Sequence, residues 1–351
     1  MELFLPGLFE RLPEWRATGL TLPALPALET LLGQARPVPA ANDTPAAEHD
    51  ADPFARLCRE WLGQPSCAYG PLRLVGGGGQ PGGQYCLCLD PVNLQPDMER
   101  LLLTDAATFG LSWEEVQPWI TALNDHFAAA GWRIVATQPH QWHLLLAQAP
   151  AIETPPLPRL AGRGMTHFPL QGEAAPRWQA WLNEIQMLLA MQPRNQAREA
   201  RGEPMVNGVW PWGGGYLPAA CELPWTSVTT DVAMLDGLAQ VAGRQAQPWP
   251  EAVSDWLAGV PPGRHCLASE RLWQAMRHDD VPRWQAELQA LDRDYLAPLI
   301  AALRQHRLHS LTLDSGDGRR FQLSRSRLRQ FWRRRRAVWA WAQPLHTTVN
   351  V

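Results

Sequence analysis

The segment VNGVWPWGGGYLP, residues 206–218, combines residue types that could recognise an anion. A glycine run such as Gly213–Gly215 lets backbone N–H groups approach a bound anion closely, because glycine adopts positive φ and has no side chain. Guanidinium groups match phosphate and carboxylate in shape and charge. Three of them precede the segment, on Arg194, Arg198 and Arg201. The pattern predicts an anion-binding turn walled by Trp210 and Trp212. The alternative is a packed corner in which the glycines let the tryptophans stack, and composition alone favours this structural interpretation.

Other residues with possible chemistry form weaker patterns. All 31 basic residues are arginine, which excludes a Schiff-base lysine and the lysine of a phosphate-binding P-loop. The run GGGGQPGG from Gly76 is followed by a strand-like segment rather than by a helix, which favours a flexible loop between strands over a phosphate cradle. Cys86 and Cys88 lack the CxxC spacing of a metal knuckle, so we expect the six cysteines to be buried free thiols. Four histidines without metal-site spacing are expected to be solvated or in the core: His126, His140, His143 and His167.

The chain has 351 residues, of which 46% are hydrophobic, so it can bury one large or two ordinary cores. Its net charge of −3 indicates no polyanion partner by itself. No apolar run approaches the roughly 20 residues that a membrane-spanning helix needs. The first residues, MELFLPGLFERLPEW, lack the basic region of a signal peptide. We therefore predict a cytoplasmic protein without a membrane span.

Periodicity and capping residues predict the elements that must position these groups. Asp52 is a plausible N-cap for a helix over DPFARLCREWLG, and Ser112 and Glu115 form a capping box for a helix over 111–131. Pro211 cannot donate to a strand ladder, so its extended segment should lie at a sheet edge or bend. Residues 36–53 are expected to form a linker or surface loop. Further helices are predicted at 175–191, 230–243 and 281–306, and hairpins at 132–148 and 308–324.

An arginine-rich segment follows the second hairpin and carries interleaved tryptophans at 332, 339 and 341. We predict a tail helix there, for which three roles are open: a solvated polar face, which we favour, contact with nucleic acid or an anionic membrane, and contact with an acidic protein partner. The residues that would make a polyanion contact are Arg329, Arg333, Arg334, Arg335 and Arg336.

Residues 183–218 resemble a signature of the RpfE-type regulatory protein family. The matching stretches are NEIQMLL and PRNQAREARGEPMVNGVWPWGGGYLP. That family is commonly grouped with the archaeal-type cofactor-independent phosphoglycerate mutases of the alkaline phosphatase superfamily. The resemblance implies an α/β fold: an alkaline-phosphatase-like, mainly parallel central sheet flanked by helices, with an inserted smaller α+β subdomain. It implies a core formed by residues 1–65 and 151–351 and an insert formed by residues 66–150.

The resemblance also implies a set of ligand-binding residues. The residues expected to bind the ligand are Asn195, Arg198, Asn207, Trp210, Trp212, Gly213 and Gly215. Gly202 is also part of the signature but is not expected to bind the ligand.

The mutases hold two divalent metals through aspartate and histidine ligands and use a serine or threonine nucleophile, and this sequence departs from that pattern. The stretch Leu5–Phe9 lacks the aspartate expected after the first strand, and Asp314-Ser315 replaces a late Asp-His pair. Only His346 matches a ligand well, and two cations need more donors than one imidazole. We therefore predict no catalytic residue, no metal and no cofactor.

The predicted function is that of a non-catalytic, phosphoglycerate-mutase-like protein with a regulatory or ligand-binding role. It would recognise a small phosphorylated or carboxylated ligand or a protein partner. One alternative is an active cofactor-independent phosphoglycerate mutase that uses divalent metal ions such as manganese or zinc. The second is a nucleic-acid-binding regulator that acts through the arginine-rich tail.

Overall fold

The computed structural model describes residues 1–39, 52–97, 100–161, 164–165, 170–330 and 335–341. These residues form two compact units. Unit 1 comprises Met1–Pro45, Leu223–Val232 and Gln245–Val351, and unit 2 comprises Ala46–Glu222 and Ala233–Arg244.

The strands, in chain order, are β1 (Glu2–Phe4), β2 (Arg36–Val38), β3 (Tyr85–Asp97), β4 (Arg100–Asp105), β5 (Arg133–Gln138), β6 (Gln141–Leu146), β7 (Gly164–Met165), β8 (Gly208–Gly215), β9 (Ser227–Thr230), β10 (Gln247–Pro248), β11 (His265–Ala268), β12 (Ser310–Asp314) and β13 (Arg320–Ser324). The helices are α1 (Leu12–Ala17), α2 (Pro26–Gln34), α3 (Pro53–Leu62), α4 (Tyr69–Gly76), α5 (Trp113–Phe127), α6 (Leu157–Leu160), α7 (Ala175–Ala190), α8 (Pro193–Ala200), α9 (Ala233–Val241), α10 (Val253–Gly259), α11 (Arg271–Arg277), α12 (Val281–Ala290), α13 (Ala297–Arg304) and α14 (Arg325–Leu328).

Unit 1 is built on a seven-stranded, mostly parallel sheet in the order β10-β9-β11-β1-β12-β13-β2. The first five strands of that order run parallel, and β13 and β2 add an antiparallel edge. The central strands are buried on both faces, as parallel strands covered by helices require. The expected α/β class with a mainly parallel sheet is confirmed, and so is the hairpin of β12 and β13.

A buried carboxylate fixes helix α2 in unit 1. Helix α2 has no side-chain cap of its own. Asp292, in a π-helical turn at Leu291–Leu296 between α12 and α13, accepts hydrogen bonds from the Leu28 N–H at 2.7 Å and the Ala27 N–H at 3.3 Å. These are free N–H groups of the first helical turn, so Asp292 caps α2 from another element.

Unit 2 contains a six-stranded sheet whose ladder pairs are antiparallel, in the order β5-β6-β3-β4-β7, and β8 also pairs with β3. Helices α5 and α7 bury their apolar faces with those strands, around Trp119, Trp142 and Trp178. This unit is larger than the insert of residues 66–150 expected from the sequence, because pairing with β3 brings β8 into the same sheet.

Two sequence interpretations need correction. Within the segment 36–53, expected to be a linker or loop, residues 36–38 form strand β2: Pro37 pairs with Phe321, and Arg36 bonds to Gln322 of β13. Residues 40–51 of this segment lie outside the described residues. Gly76 is not in a loop between strands. It ends helix α4, and a Cβ built on it would lie 1.8 Å from the Ala233 carbonyl oxygen of α9, so the glycine is needed for this helix contact.

The predicted tail helix is also wrong for the described residues. Helix α14 has four residues, and a 3₁₀ turn follows at Val338–Trp341. Arg335–Ala337 are not helical, and the Arg336 N–H donates to the Glu29 carbonyl oxygen at 3.1 Å. Like charges four residues apart, which the arginines of this segment form, also disfavour a helix.

All six cysteines are free, and four of them are buried, as predicted for structural thiols: Cys58, Cys86, Cys88 and Cys266. Within the part of the chain that the structure describes, no helix is both long and apolar enough to span a membrane.

Candidate functional site

The tryptophan-glycine segment forms strand β8, and its tryptophans point into unit 2. Trp210 is fully buried and its Nε1–H donates to the Pro155 carbonyl oxygen at 2.9 Å. The Trp212 Nε1–H donates to the Asp90 carboxylate at 2.8 Å, and its ring packs on Tyr69 with centroids 4.6 Å apart. Among the described strands β8 pairs with β3 alone, which agrees with the edge position that Pro211 predicts.

The glycines of β8 allow close packing against the start of helix α4. Gly213 has φ +62°, and a Cβ there would lie 3.0 Å from the Tyr69 Cβ. A Cβ on Gly215 would lie 2.5 Å from the Ala68 Cβ. These backbones approach each other because side chains are missing, which is the arrangement expected of a packed corner.

The two asparagines of the predicted site bridge backbone segments. The Asn195 amide donates to the Leu189 and Val206 carbonyl oxygens and accepts from the Val206 N–H. The Asn207 amide accepts from the Leu94 N–H at 2.7 Å and donates to the Leu94 carbonyl oxygen at 2.9 Å. In this way Asn207 extends the pairing of β8 with β3 by one residue before Gly208, the first residue of β8.

Arg198 is 2% exposed and its guanidinium is shared among three acceptors. It donates to the Pro204 carbonyl oxygen at 2.9 Å, the Phe109 carbonyl oxygen at 2.7 Å and the Glu115 carboxylate at 3.0 Å. The neighbouring Arg194 and Arg201 are exposed and pair with acidic side chains. This geometry favours the packed-corner interpretation of the segment over a ligand site formed by Asn195, Arg198 and Asn207.

A buried ion pair that the sequence analysis missed lies beside β8. Arg73 and Asp90 form two hydrogen bonds at 2.7 and 2.9 Å, with both side chains less than a tenth exposed. Burial alone would lower the pKa of Arg73, but the facing Asp90 carboxylate outweighs it and the net pKa is raised. The Arg73 Nε–H donates to the His143 Nε2 at 3.1 Å, and burial, followed by the Arg73 charge, holds the pKa of His143 well below its usual range. The network is a core feature, as expected for His143.

The sheet of unit 1 brings four loops together at one edge. Because β9, β11, β1 and β12 are parallel neighbours, the residues that follow them all lie at the carboxyl edge of the sheet. The chain continues from β9 to its neighbour β10 on one side and from β11 past β1 to β12 on the other, so the loops after the neighbouring strands β9 and β11 lead in opposite directions. In open α/β sheets ligands bind at the carboxyl edge near such a switch point. We therefore take this edge as the candidate functional site.

The loops after β1 and β12 contribute Glu10, Ser315, Asp317 and Arg319. Glu10 accepts from the Gly7 N–H at 3.0 Å and the Phe9 N–H at 3.1 Å. Arg319 donates to the Asp317 carboxylate at 2.9 Å, and the Ser315 hydroxyl donates to the other oxygen of that carboxylate. Burial, followed by the Asp317 charge, raises the pKa of Glu10 to about 7. No periodic pattern indicates this cluster, because Glu10 lies more than 300 positions from Ser315, Asp317 and Arg319 in the sequence.

The loops after β9 and β11 contribute Asp231, Ser269, Glu270 and Arg271. The Asp231 carboxylate accepts from the Ser269 hydroxyl at 2.8 Å, the Glu270 N–H at 3.0 Å and the Arg271 Nε–H at 3.2 Å. Burial raises the pKa of Asp231 above its ordinary value.

The carboxylate groups at the carboxyl edge of the unit 1 sheet do not fit as ligands of two divalent cations. Asp231 and Asp317 each face a guanidinium, and Asp314 accepts from the Gly316 N–H and pairs with Arg320. Among the described residues no group of three or more histidine, cysteine, aspartate or glutamate side chains could hold a metal ion. His346 lies outside the described residues.

The Glu10 environment predicts a pH-dependent stability. The folded-state pKa of about 7 lies above the ordinary value of 4.5, so the folded state binds the proton more tightly than the unfolded chain. The stabilisation is complete below pH 4.5 and is lost as pH rises through 7. We expect the melting temperature of unit 1 to fall between pH 5 and pH 7.5 and Glu10→Gln to reduce that fall. Glu14→Gln, which removes an exposed carboxylate of α1, is the control. An equal fall in both variants would contradict the assignment.

The residues proposed for polyanion contact are partly described. Arg329 is exposed. Arg335 and Arg336 line a pocket of about 390 Å³ in unit 1. Arg333 and Arg334 lie outside the described residues.

Comparison with known proteins shows similarity at the level of fold. No protein-family model and no curated protein matches the chain. A solved structure of the PH0037 protein from Pyrococcus horikoshii is 16% identical over 92% of this chain and 86% of its own, with a TM-score of 0.52. The cofactor-independent phosphoglycerate mutase from Thermoplasma acidophilum DSM 1728 is 14% identical over 92% of this chain and 89% of its own, with a TM-score of 0.42. The chain thus has a mixed α/β fold similar to that of the PH0037 protein.

Proposed function

We propose that this protein is a non-catalytic relative of the cofactor-independent phosphoglycerate mutases that binds a small phosphorylated or carboxylated ligand in a regulatory role. The resemblance of residues 183–218 to the RpfE-type family supports the relationship. A mostly parallel sheet with a carboxyl-edge loop cluster supports a ligand-binding scaffold.

The proposal that the protein is non-catalytic rests on the hydrogen bonds and ion pairs of three carboxylates at the carboxyl edge of the unit 1 sheet. A two-metal phosphomutase needs carboxylate and imidazole donors that converge on the same cations. Here Asp231, Asp314 and Asp317 each accept hydrogen bonds from protein donors that include a guanidinium. A positive charge already occupies the place beside each carboxylate, so cation binding would have to break these pairs.

The test is an assay of 3-phosphoglycerate conversion to 2-phosphoglycerate in the presence of manganese, with metal analysis of the purified protein. We expect no turnover above the blank and no stoichiometric metal. The Thermoplasma acidophilum mutase, assayed in parallel, shows that the conditions support turnover. Turnover that a chelator abolishes and manganese restores would establish the active-mutase alternative instead.

A further inference from the structure

A second site lies in unit 1, in a pocket between helix α2, strand β13 and the end of the described chain. Its volume is about 390 Å³, within the range of small-molecule sites. Leu32 and Pro37 form one part of the wall, and Phe321 and Trp341 form another. The Phe321 and Trp341 rings meet edge to face with centroids 4.6 Å apart, which gives an aromatic surface.

Two cationic groups border this apolar wall. Arg335 and Arg336 both line the pocket and are exposed. The Arg336 guanidinium lies 5.3 Å from the centre of the Trp341 ring. No carboxylate in the described ranges forms an ion pair with either guanidinium. The Arg335 charge lowers the pKa of Asp292 against the larger effect of burial, but the Asp292 oxygens are engaged by helix α2. Glu29 meets Arg336 through its backbone carbonyl oxygen, which accepts from the Arg336 N–H at 3.1 Å.

A neutral donor in the same wall also lacks a partner. The Nε1–H of Trp341 is shielded from water and makes no hydrogen bond within the described part of the chain. A buried donor without an acceptor costs free energy, and a bound water, ion or ligand is one way in which native proteins supply that acceptor. This donor and the two guanidinium groups call for the same kind of partner, an oxyanion.

We propose that this pocket binds an organic phosphate or carboxylate. The acid group pairs with Arg335 and Arg336, and the carbon skeleton lies against Phe321 and Trp341. The inference rests on the proposed function, names the class of its ligand, and adds this pocket as a second binding place beside the carboxyl edge of the unit 1 sheet. Charge-assisted hydrogen bonds to two guanidiniums supply the affinity, and the aromatic wall selects an acid that carries an apolar or planar group over inorganic phosphate.

Titration calorimetry of the full chain with phenyl phosphate, 3-phosphoglycerate and inorganic phosphate tests the proposal. We expect phenyl phosphate to bind more tightly than inorganic phosphate. The double variant Arg335→Gln/Arg336→Gln should lose about tenfold or more of that affinity. Trp341→Phe keeps an aromatic wall and deletes the N–H, and should weaken binding severalfold. Both arginines are exposed, so the double variant should melt close to the wild-type temperature.

A charge-matched control distinguishes binding in this pocket from a general attraction of anions to positive surface charge. Arg304→Gln/Arg329→Gln removes the same charge from two exposed positions that do not line the pocket. We expect its affinity for phenyl phosphate to stay within about twofold of wild type. Equal losses in both double variants would overturn the proposal and indicate a polyanion surface, which binding of a DNA oligonucleotide would then reveal. Wild-type protein that binds none of the probes would overturn it too. Neither outcome affects the turnover assay, which tests the non-catalytic half of the proposed function separately.

Discussion

Replacing Gly237 by alanine is expected to lower the free energy of unfolding of unit 2 by about 3 kcal/mol or more. Helices α4 and α9 cross with their backbones in contact. A Cβ built on Gly237 would lie 1.8 Å from the Leu72 carbonyl oxygen, and one on Gly76 equally close to the Ala233 carbonyl oxygen. Backbone atoms inside a helix cannot turn aside as a side chain can, so the helices must separate. Close packing around them makes that separation costly.

Urea unfolding followed by circular dichroism measures this effect, with Gly259→Ala as the matched control. Gly259 is the last residue of helix α10, and a Cβ there meets no atom within 4 Å. Its replacement should leave stability unchanged or raise it by up to about 1 kcal/mol, because alanine is the better helix former. If Gly237→Ala unfolded at the wild-type urea concentration, the proposed helix contact would be wrong.

Arg198→Ala is expected to have an effect of similar size, about 3 kcal/mol, on the stability of unit 2. The substitution leaves the buried carbonyl oxygen of Phe109 without its donor, removes the donor to the Pro204 carbonyl oxygen, and removes the closer of two guanidinium partners of Glu115. Glu115 also caps helix α5 through Ser112, so the loss extends to that helix start. Ligand affinity should change only as far as unit 2 unfolds.

Arg194→Ala on the same helix α8 is the control for this experiment. Arg194 is half exposed and faces the exposed Glu114 at 3.6 Å, a kind of pair that contributes little. Its loss should cost less than about 1 kcal/mol. A stable Arg198→Ala protein with strongly reduced affinity for 3-phosphoglycerate would restore the ligand-binding interpretation of residues 195–215.

Local features of the fold could be predicted from the sequence because neighbouring residues determine them. Asp52 caps α3 through the Phe54 and Ala55 N–H groups, and Ser112 and Glu115 form the complete capping box at α5. The hairpins β5–β6 and β12–β13 form as their alternating patterns indicate. The long helix over 281–306 is present, although a π-helical turn interrupts it at Leu291–Leu296.

Contacts between distant residues could not be predicted in this way. Gly76 and Gly237 lie in one helix crossing, although 161 positions separate them in the sequence. The pairing of β8 with β3 explains Trp210 and Trp212 as packing residues and Asn207 as a ladder residue. No local pattern in the sequence indicates that pairing. The carboxyl-edge cluster of Glu10 and Asp317 depends on the strand order of unit 1, which a single sequence does not reveal.

The position of β1 between β11 and β12 has a consequence for synthesis on the ribosome. The strand Glu2–Phe4 is synthesised long before its two neighbours in the sheet, which begin at His265 and at Ser310. At roughly 5–20 residues per second, synthesis of the chain between β1 and β11 takes on the order of 10–50 s. All strands of the unit 2 sheet have been made by then, because the last of them ends at Gly215. We therefore expect unit 2 to fold first during translation, while β1 has no strand to pair with until β11 has been made.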